Sequence, residues 1–233
     1  MNFNYKSFGL KIGYLYEIIA TTYYITEDGK EIKSNASCMG IRLLEDGQIQ
    51  ISPFSSTSTY NNLKKSKLIT INFVDNIYLY ALAALKEEGS SIGLTEFPLE
   101  YYDFKYLENR AMDVPYIKTA WGILICEVSQ EFEKTKQNGF GEVIVPIFKL
   151  KIIYHQKFRD SFKFFNRAEN LALESIILAT RLKIAKRNND EKLFQKIQEK
   201  ISDNKANIER FGKNKAALKA IVLVSDYLEN LLD

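Results

Sequence analysis

All four prolines and ten of the eleven glycines stand before residue 151, and beyond it only Gly212 interrupts the chain. That asymmetry constrains the fold more than any motif. Glycine and proline punctuate strands and turns, whereas helix interiors exclude them. Of the 30 aromatic residues, 22 lie on the same side of the divide, and aromatic side chains favour pleated strands. Charge divides as well: residues 1–150 carry 15 Lys and Arg against 18 Asp and Glu, and residues 151–233 carry 17 against 11. The pattern predicts an α+β chain, with an antiparallel β-domain over residues 1–152 and a helical domain over residues 153–233.

The β-part reads as strands joined by tight turns. Leu15 to Ile25 is rich in Ile, Thr and Tyr and leads to Asp28-Gly29, the dipeptide of two-residue hairpins. Asn35 to Leu44 is the returning strand, and Asp46-Gly47 turns the chain into the alternating Gln48-Ile49-Gln50-Ile51-Ser52. A short helix is expected over Thr59–Lys65, then a strand buried on both faces at Leu68–Val74 and a helix over Asp75–Leu85. Residues 86–114 show no clear period and read as an irregular excursion with a short helix around Phe104–Arg110. Trp121–Val128 resumes the strand pattern, Asn138-Gly139 turns, and Glu142–Pro146 closes the β-region with Pro146 at an edge or strand end.

Past His155 the apolar period becomes 3.6. Ala168, Leu171, Ala172, Ser175, Leu178, Ala179 and Leu182 form one stripe of a helix expected from about Arg159 to Arg187. Leu193, Ile197, Ile201 and Ile208 mark a second helix, with Asp190 as its N-cap and Gly212 as its stop. Ala217, Ile221, Val224, Leu228 and Leu231 mark a third, which completes a three-helix domain.

Several chemistries are excluded. Two cysteines, Cys38 and Cys126, and the single His155 cannot supply the four ligands of a Cys/His zinc site or a disulfide framework. No Walker loop, Rossmann glycine motif or helical zinc motif is present, and Gly89 to Gly93 has the wrong spacing for a phosphate loop. His155 has no Ser or Cys partner nearby and reads as a surface or junction residue. No apolar run reaches the ~18 residues of a membrane span, and Met1 to Lys6 lacks the order of a secretory signal. A cytoplasmic protein without membrane association is expected.

The stretch from Ser34 to Leu63 is the informative one. A hydroxyl-rich loop, Ser52-Pro53-Phe54-Ser55-Ser56-Thr57, runs into a helix start, and the Asp46-Gly47 hairpin folds Arg42 back beside it. A guanidinium, several hydroxyls and a helix N-terminus are what a phosphate dianion needs. Thr57 and Thr59 as plain helix caps, with Arg42 as a solvated strand residue, fit the same spacing.

Tyr16-Glu17-Ile18-Ile19-Ala20-Thr21-Thr22, Asn35-Ala36-x-x-Met39-Gly40-x-Arg42, Pro53-Phe54, Thr59-Tyr60-x-Asn62-Leu63 and Ile71-Asn72-Phe73 together resemble a mainly archaeal family, domain of unknown function 447. Phe165 to Glu169 and Leu173 to Leu182 resemble its helical C-terminal region. That family is similar to the flavin-reductase-like split β-barrels, which bind flavin mononucleotide (FMN) at a homodimer interface. The resemblance implies an antiparallel split β-barrel with a helical domain, a homodimer with the cofactor near the subunit interface, and a flavin-dependent oxidoreductase as the enzyme class. A deazaflavin would fit the same scaffold.

Carried onto this chain, the resemblance places Asn35, Ala36, Ser37, Cys38 and Gly40 along the flavin ring, where small residues allow close approach. It gives Arg42, Thr57, Thr59 and Asn62 to the phosphate, Ser52, Pro53 and Phe54 to the ribityl chain, and lets Asn72 reach the ring. Two departures stand out: many relatives carry proline where Cys38 stands and arginine where Asn61 stands. Glu17 and Asn35 read equally as cofactor contacts or strand partners, and Asn166, Arg167 and Glu174 as parts of a partner's pocket or as a decorated helix. The competing reading is a non-enzymatic module that binds nucleic acid or protein through the basic helices. Glu169, Glu174, Asp190 and Glu191 interrupt that basic face and argue against nucleic acid.

Overall fold

The structure is a computed structural model and describes residues 3–25, 32–86, 95–138, 141–161, 166–211 and 214–232. Asp28-Gly29, Gly89 to Gly93, Gly139, Phe165 and Gly212 lie outside the described residues. The chain divides into two units, one of residues 1–74 and 99–161, the other of residues 75–98 and 162–233.

The first unit is a closed antiparallel barrel. β1 (Leu15–Ile25) pairs with β2 (Ile32–Leu43), β2 with β3 (Ile49–Ile51), and α1 (Ser58–Ser66) leads to β4 (Leu68–Phe73). The long strands β7 (Gly122–Asn138) and β8 (Gly141–Lys157) complete the ring in the order β1-β2-β3-β8-β7-β4. Alternation sorts the side chains: Ile18, Ala20, Ile41, Leu43, Ile49, Ile51, Ile69, Ile71, Leu124 and Phe148 fill the interior. The Asp46-Gly47 turn forms as the dipeptide requires, with Gly47 at φ +78° and the Gln48 N–H on the Asp46 carboxylate at 2.9 Å.

All six residues of β4 are buried, in keeping with its unbroken apolar run, because a second layer covers the barrel wall. That layer is β5 (Tyr102–Leu107) paired with β6 (Met112–Ile117), so the irregular excursion and helix expected over residues 86–114 give way to a hairpin. Among the described residues there, helical geometry is limited to two single 3-10 turns, Leu99–Tyr101 and Glu108–Arg110. The period was hidden because Phe104 and Tyr106 face solvent while Leu107 and Val114 join Tyr23, Leu68 and Ile125 in a second small core. Of the two places expected for Pro146, an edge or a strand end, it takes the edge: it lies inside β8, opposite Glu133, with no described strand paired on its other side. β3 reaches only Phe148 to Leu150 of β8, so a missing N–H at Pro146 costs no bond to β3.

The second unit holds α3 (Arg167–Arg187), α4 (Glu191–Phe211) and α5 (Lys215–Leu232), together with α2 (Ile77–Ala84). α2 is apolar on every side, and such a helix must be covered all round. It packs against α3 and α5, which makes four helices where the sequence suggested three. α3 starts eight residues later than expected because β8 continues to Lys157; Asn166 caps it by accepting the Glu169 N–H. Asp190 caps α4, accepting the Leu193 N–H at 3.0 Å. Among the described residues no helix is long and apolar enough to cross a membrane.

Candidate functional site

β3 pairs with β2 only at Arg42 and Leu43. No described strand pairs with that edge of β2 from Ile32 to Ile41, although the barrel closes through the short β2–β3 pairing. The chain leaving β3, Ser52 to Thr57, runs past this edge into α1, whose first turn closes one end. Thr59 makes the closure: its hydroxyl lies 2.7 Å from the Ser37 hydroxyl and accepts the Asn35 amide N–H at 3.2 Å.

The unbroken β1–β2 register fixes which candidates share a face. Asn35 and Ser37 point with Ile41 toward the barrel interior, whereas Ala36, Cys38, Gly40 and Arg42 belong to the outer wall. Ala36 is fully buried, next to Thr21, whose hydroxyl donates to the Pro115 carbonyl of β6 at 2.6 Å. Cys38 and Gly40 are half-buried, and Arg42 is exposed with its guanidinium on the Gly13 carbonyl at 2.6 Å. Ser37 and Arg42 project from opposite faces and stand roughly 17 Å apart along the strand.

The anticipated convergence of Arg42 and Thr59 on one phosphate is therefore not formed. Thr59 is buried and committed to Ser37 and Asn35, while Arg42 marks the other end of the open stretch. Asn62 turns into the barrel end, where its amide donates to the Thr22 hydroxyl at 3.1 Å. Asn72 does not reach any open surface. It is fully buried, its amide nitrogen lies within bonding distance of Ile19 O (2.9 Å), Thr70 O (3.1 Å) and Thr21 Oγ1 (3.2 Å), and its oxygen accepts the Ile117 N–H at 2.7 Å. Asn72 fastens β6 to the barrel.

Three serines keep hydroxyls that are not tied up as those of Thr59 and Thr57 are. Thr57 is the cap of α1: its hydroxyl accepts the Tyr60 N–H at 3.3 Å and donates to Phe54 O at 2.7 Å. With Thr57 so occupied, the hydroxyls of Ser55, Ser56 and Ser58 are exposed and carry no hydrogen bond among the described residues. The Ser58 and Thr59 N–H groups occupy the first turn of α1, where no intrahelical acceptor exists. The helix dipole adds positive potential at the same place. The signal was present in the run Ser55 to Thr59, but only the capping rule tells which hydroxyls remain available. Ser52 and Phe54 are exposed on this loop, Phe54 at 64%, and Pro53 is buried.

Across the strand pair, Glu17 lies directly opposite Gly40. A Cβ on Gly40 would sit 2.9 Å from Leu15 Cδ1 and 3.7 Å from the Glu17 carboxyl, so both side chains lean into the notch that the glycine leaves. Burial raises the Glu17 pKa above its ordinary 4.5. Cys126, opposite Ile69, is fully buried and its thiol is pushed up by burial, far from any reactive state. His155 belongs to an aromatic cluster rather than an open junction, with Phe3 at 5.3 Å and Phe8 at 6.4 Å. Trp121 stacks on Phe73 at 5.0 Å as a packing residue. Among the described residues no cluster of His, Cys, Asp and Glu is arranged to hold a metal. In the helical unit Lys200 pairs with Glu174 at 2.9 Å, and the Lys186 ammonium reaches the Leu231 carbonyl.

A closed six-stranded antiparallel barrel in a chain that also carries a helical unit defines the split-barrel class, here in α+β form. The chain belongs to the DUF447 family: the model of that family's N-terminal domain, a protein of unknown function, matches residues 16–156. The fold is shared with FMN-bound protein MM1853 from Methanosarcina mazei, of the same family, at TM-score 0.73 and 19% identity over 96% of this chain and 100% of that one. More distant likenesses are flavin reductase HpaC complexed with NADP+ (TM-score 0.43, 16% identity, 68% of this chain and 88% of that one). The styrene monooxygenase flavin reductase of Pseudomonas putida S12 stands at 0.40 and 13%, over 61% of this chain and 81% of that one. No curated protein matches the sequence.

Proposed function

We propose that this chain binds FMN in the seam between β2 and the Ser52–Ser58 loop, and that it serves flavin-dependent oxidoreduction as a homodimer. The observation that carries the reading is the open stretch at Cys38–Gly40 beside a helix N-terminus with three uncommitted hydroxyls. The donor set fits a phosphate monoester: Ser58 and Thr59 supply N–H groups, and Ser55, Ser56 and Ser58 supply hydroxyls. Gly40 and Cys38 offer a flat wall for a planar ring, and Ser52 and Phe54 lie along the connecting chain. Arg42, at the far end of the wall, holds the Gly13 turn and presents positive charge toward the ring end rather than the phosphate.

Bound flavin supplies hydride and electron transfer, so the protein needs no catalytic triad and contributes binding, orientation and tuning. The family relation to an FMN-bound protein of the same fold supports this choice of cofactor. Exposed Leu15 on β1 and Phe54 on the Ser52–Ser58 loop give a second subunit apolar surface to cover. A cytoplasmic setting belongs to the same reading, with Cys38 and Cys126 kept as thiols.

Purified protein is expected to be yellow, and heat-released ligand to have the mass of FMN; a deazaflavin would show its own mass and blue-shifted absorption. Colourless protein that takes up neither added cofactor would refute the proposal.

A further inference from the structure

We propose that residues 3–8 form a strap over one end of the barrel, held shut while His155 is neutral and released when that ring is protonated. The strap lies where β4 ends at Phe73, β7 begins at Gly122 and β8 ends at Lys157. Phe8 is buried there, against Phe73 at 5.4 Å and Trp121 at 5.7 Å. Gly122 makes the room, since a Cβ on it would stand 2.7 Å from the Phe8 ring. His155, opposite Leu124, sits beneath the strap with Phe3 at 5.3 Å and Phe8 at 6.4 Å.

Nε2 of His155 is the sensitive atom. It is sealed from solvent and has no hydrogen-bond partner among the described residues. A neutral imidazole tolerates this, because it can keep its proton on Nδ1 and leave Nε2 as a bare lone pair. An imidazolium carries N–H on both nitrogens, and the one at Nε2 would meet phenyl rings, which return only part of the hydration it gives up. Opening the strap restores water to that N–H. Closure is therefore fully supported above the imidazole range and lost as pH falls through it. The titratable neighbours do not offset this. The strap brings Tyr5 and Lys6, β4 brings none, and β7 brings Cys126, whose thiol burial pushes up. On β8, Tyr154 donates to Gln156, and the Lys157 ammonium holds Ser7 O at 3.0 Å and pairs with Asp160, an exposed carboxylate. Gly9, at φ +69°, gives the strap a pivot, and beyond it the Gly13 N–H stays on Leu43 O at 2.8 Å.

The chain has one histidine and one tryptophan, and both stand in this cluster. Acrylamide quenching of Trp121 therefore reads the strap, and the single histidine Cε1–H resonance reads the proton. Wild-type protein is expected to show quenching about twofold or more stronger near pH 5 than near pH 8, in one step that shares its midpoint with the resonance while the far-UV signal holds. His155→Phe keeps an aromatic plug that cannot titrate and should stay shielded throughout, whereas Phe8→Ala should be open throughout. Quenching that does not change with pH in wild-type protein, or a step that persists in His155→Phe, overturns the inference. A midpoint that departs from the resonance overturns it as well, and this comparison decides alone if His155→Phe does not fold. Loss of far-UV signal over the same range also overturns it, because the whole barrel would then open rather than the strap.

Discussion

Asn72→Ala should destabilise the barrel unit by about 3 kcal/mol. Asn72 is fully buried and its oxygen is the acceptor of the Ile117 N–H at 2.7 Å. Truncation leaves that N–H without a partner in a dry layer, at a cost of about 1–3 kcal/mol, and removes amide bonds worth about 0.5–1.5 kcal/mol each. The lost bonds reach Ile19 O and Thr70 O, so β1, β4 and β6 are all affected at once. Urea unfolding followed by tryptophan fluorescence reads this unit selectively, since the chain has one tryptophan. Trp121 stacks on Phe73, the neighbour of Asn72. A loss under ~1 kcal/mol would show that β6 docks without this amide and that Asn72 is not the structural tie between β6 and the barrel.

Two further outcomes follow from the site. Ser56→Asp should weaken FMN at least tenfold while leaving riboflavin binding unchanged, because the added charge opposes only the phosphate; equal losses for both ligands would contradict a phosphate cup at the α1 N-terminus. Glu17→Gln should stabilise the protein at pH 7 and be neutral in acid. The folded pKa of Glu17 is raised by burial above 4.5, so its protonated form favours the folded state and stability is lost as pH rises through the raised value. Denaturation midpoints across this range check the sign, and a variant less stable than wild type at pH 7 would reverse it.

The barrel was legible in the sequence where side-chain period and turn chemistry agreed. Asp46-Gly47 and the alternation at Ile49 to Ile51 place β3, and the apolar run at Leu68 to Phe73 places a strand covered on both faces. What covered that strand was not legible. β5 and β6 cover the barrel wall, tied through Thr21 and Asn72, and leave Phe104 and Tyr106 in solvent, so no simple period survives. α2 could be read as a helix but not as part of the helical unit, since its neighbours α3 and α5 lie far along the chain.

The candidate site was half legible for a related reason. Small residues on β2 and hydroxyls before α1 are visible as letters, but strand parity decides which of them share a face. The β2–β3 hairpin folds Arg42 back toward the loop in sequence terms; the register sends Arg42 outward while Thr59 meets the inward Ser37. Asn62 and Asn72 carry the right donors and spend them on Thr22 and on β6. Sequence gives the inventory of polar groups, and only packing shows which remain uncommitted.

The most direct test of the central claim is a crystal structure of the protein with FMN. The phosphate is expected within hydrogen-bonding distance of the Ser58 and Thr59 N–H groups, with the ring against Cys38 and Gly40. A phosphate held by Arg42 away from α1, or flavin bound elsewhere on the chain, would contradict it.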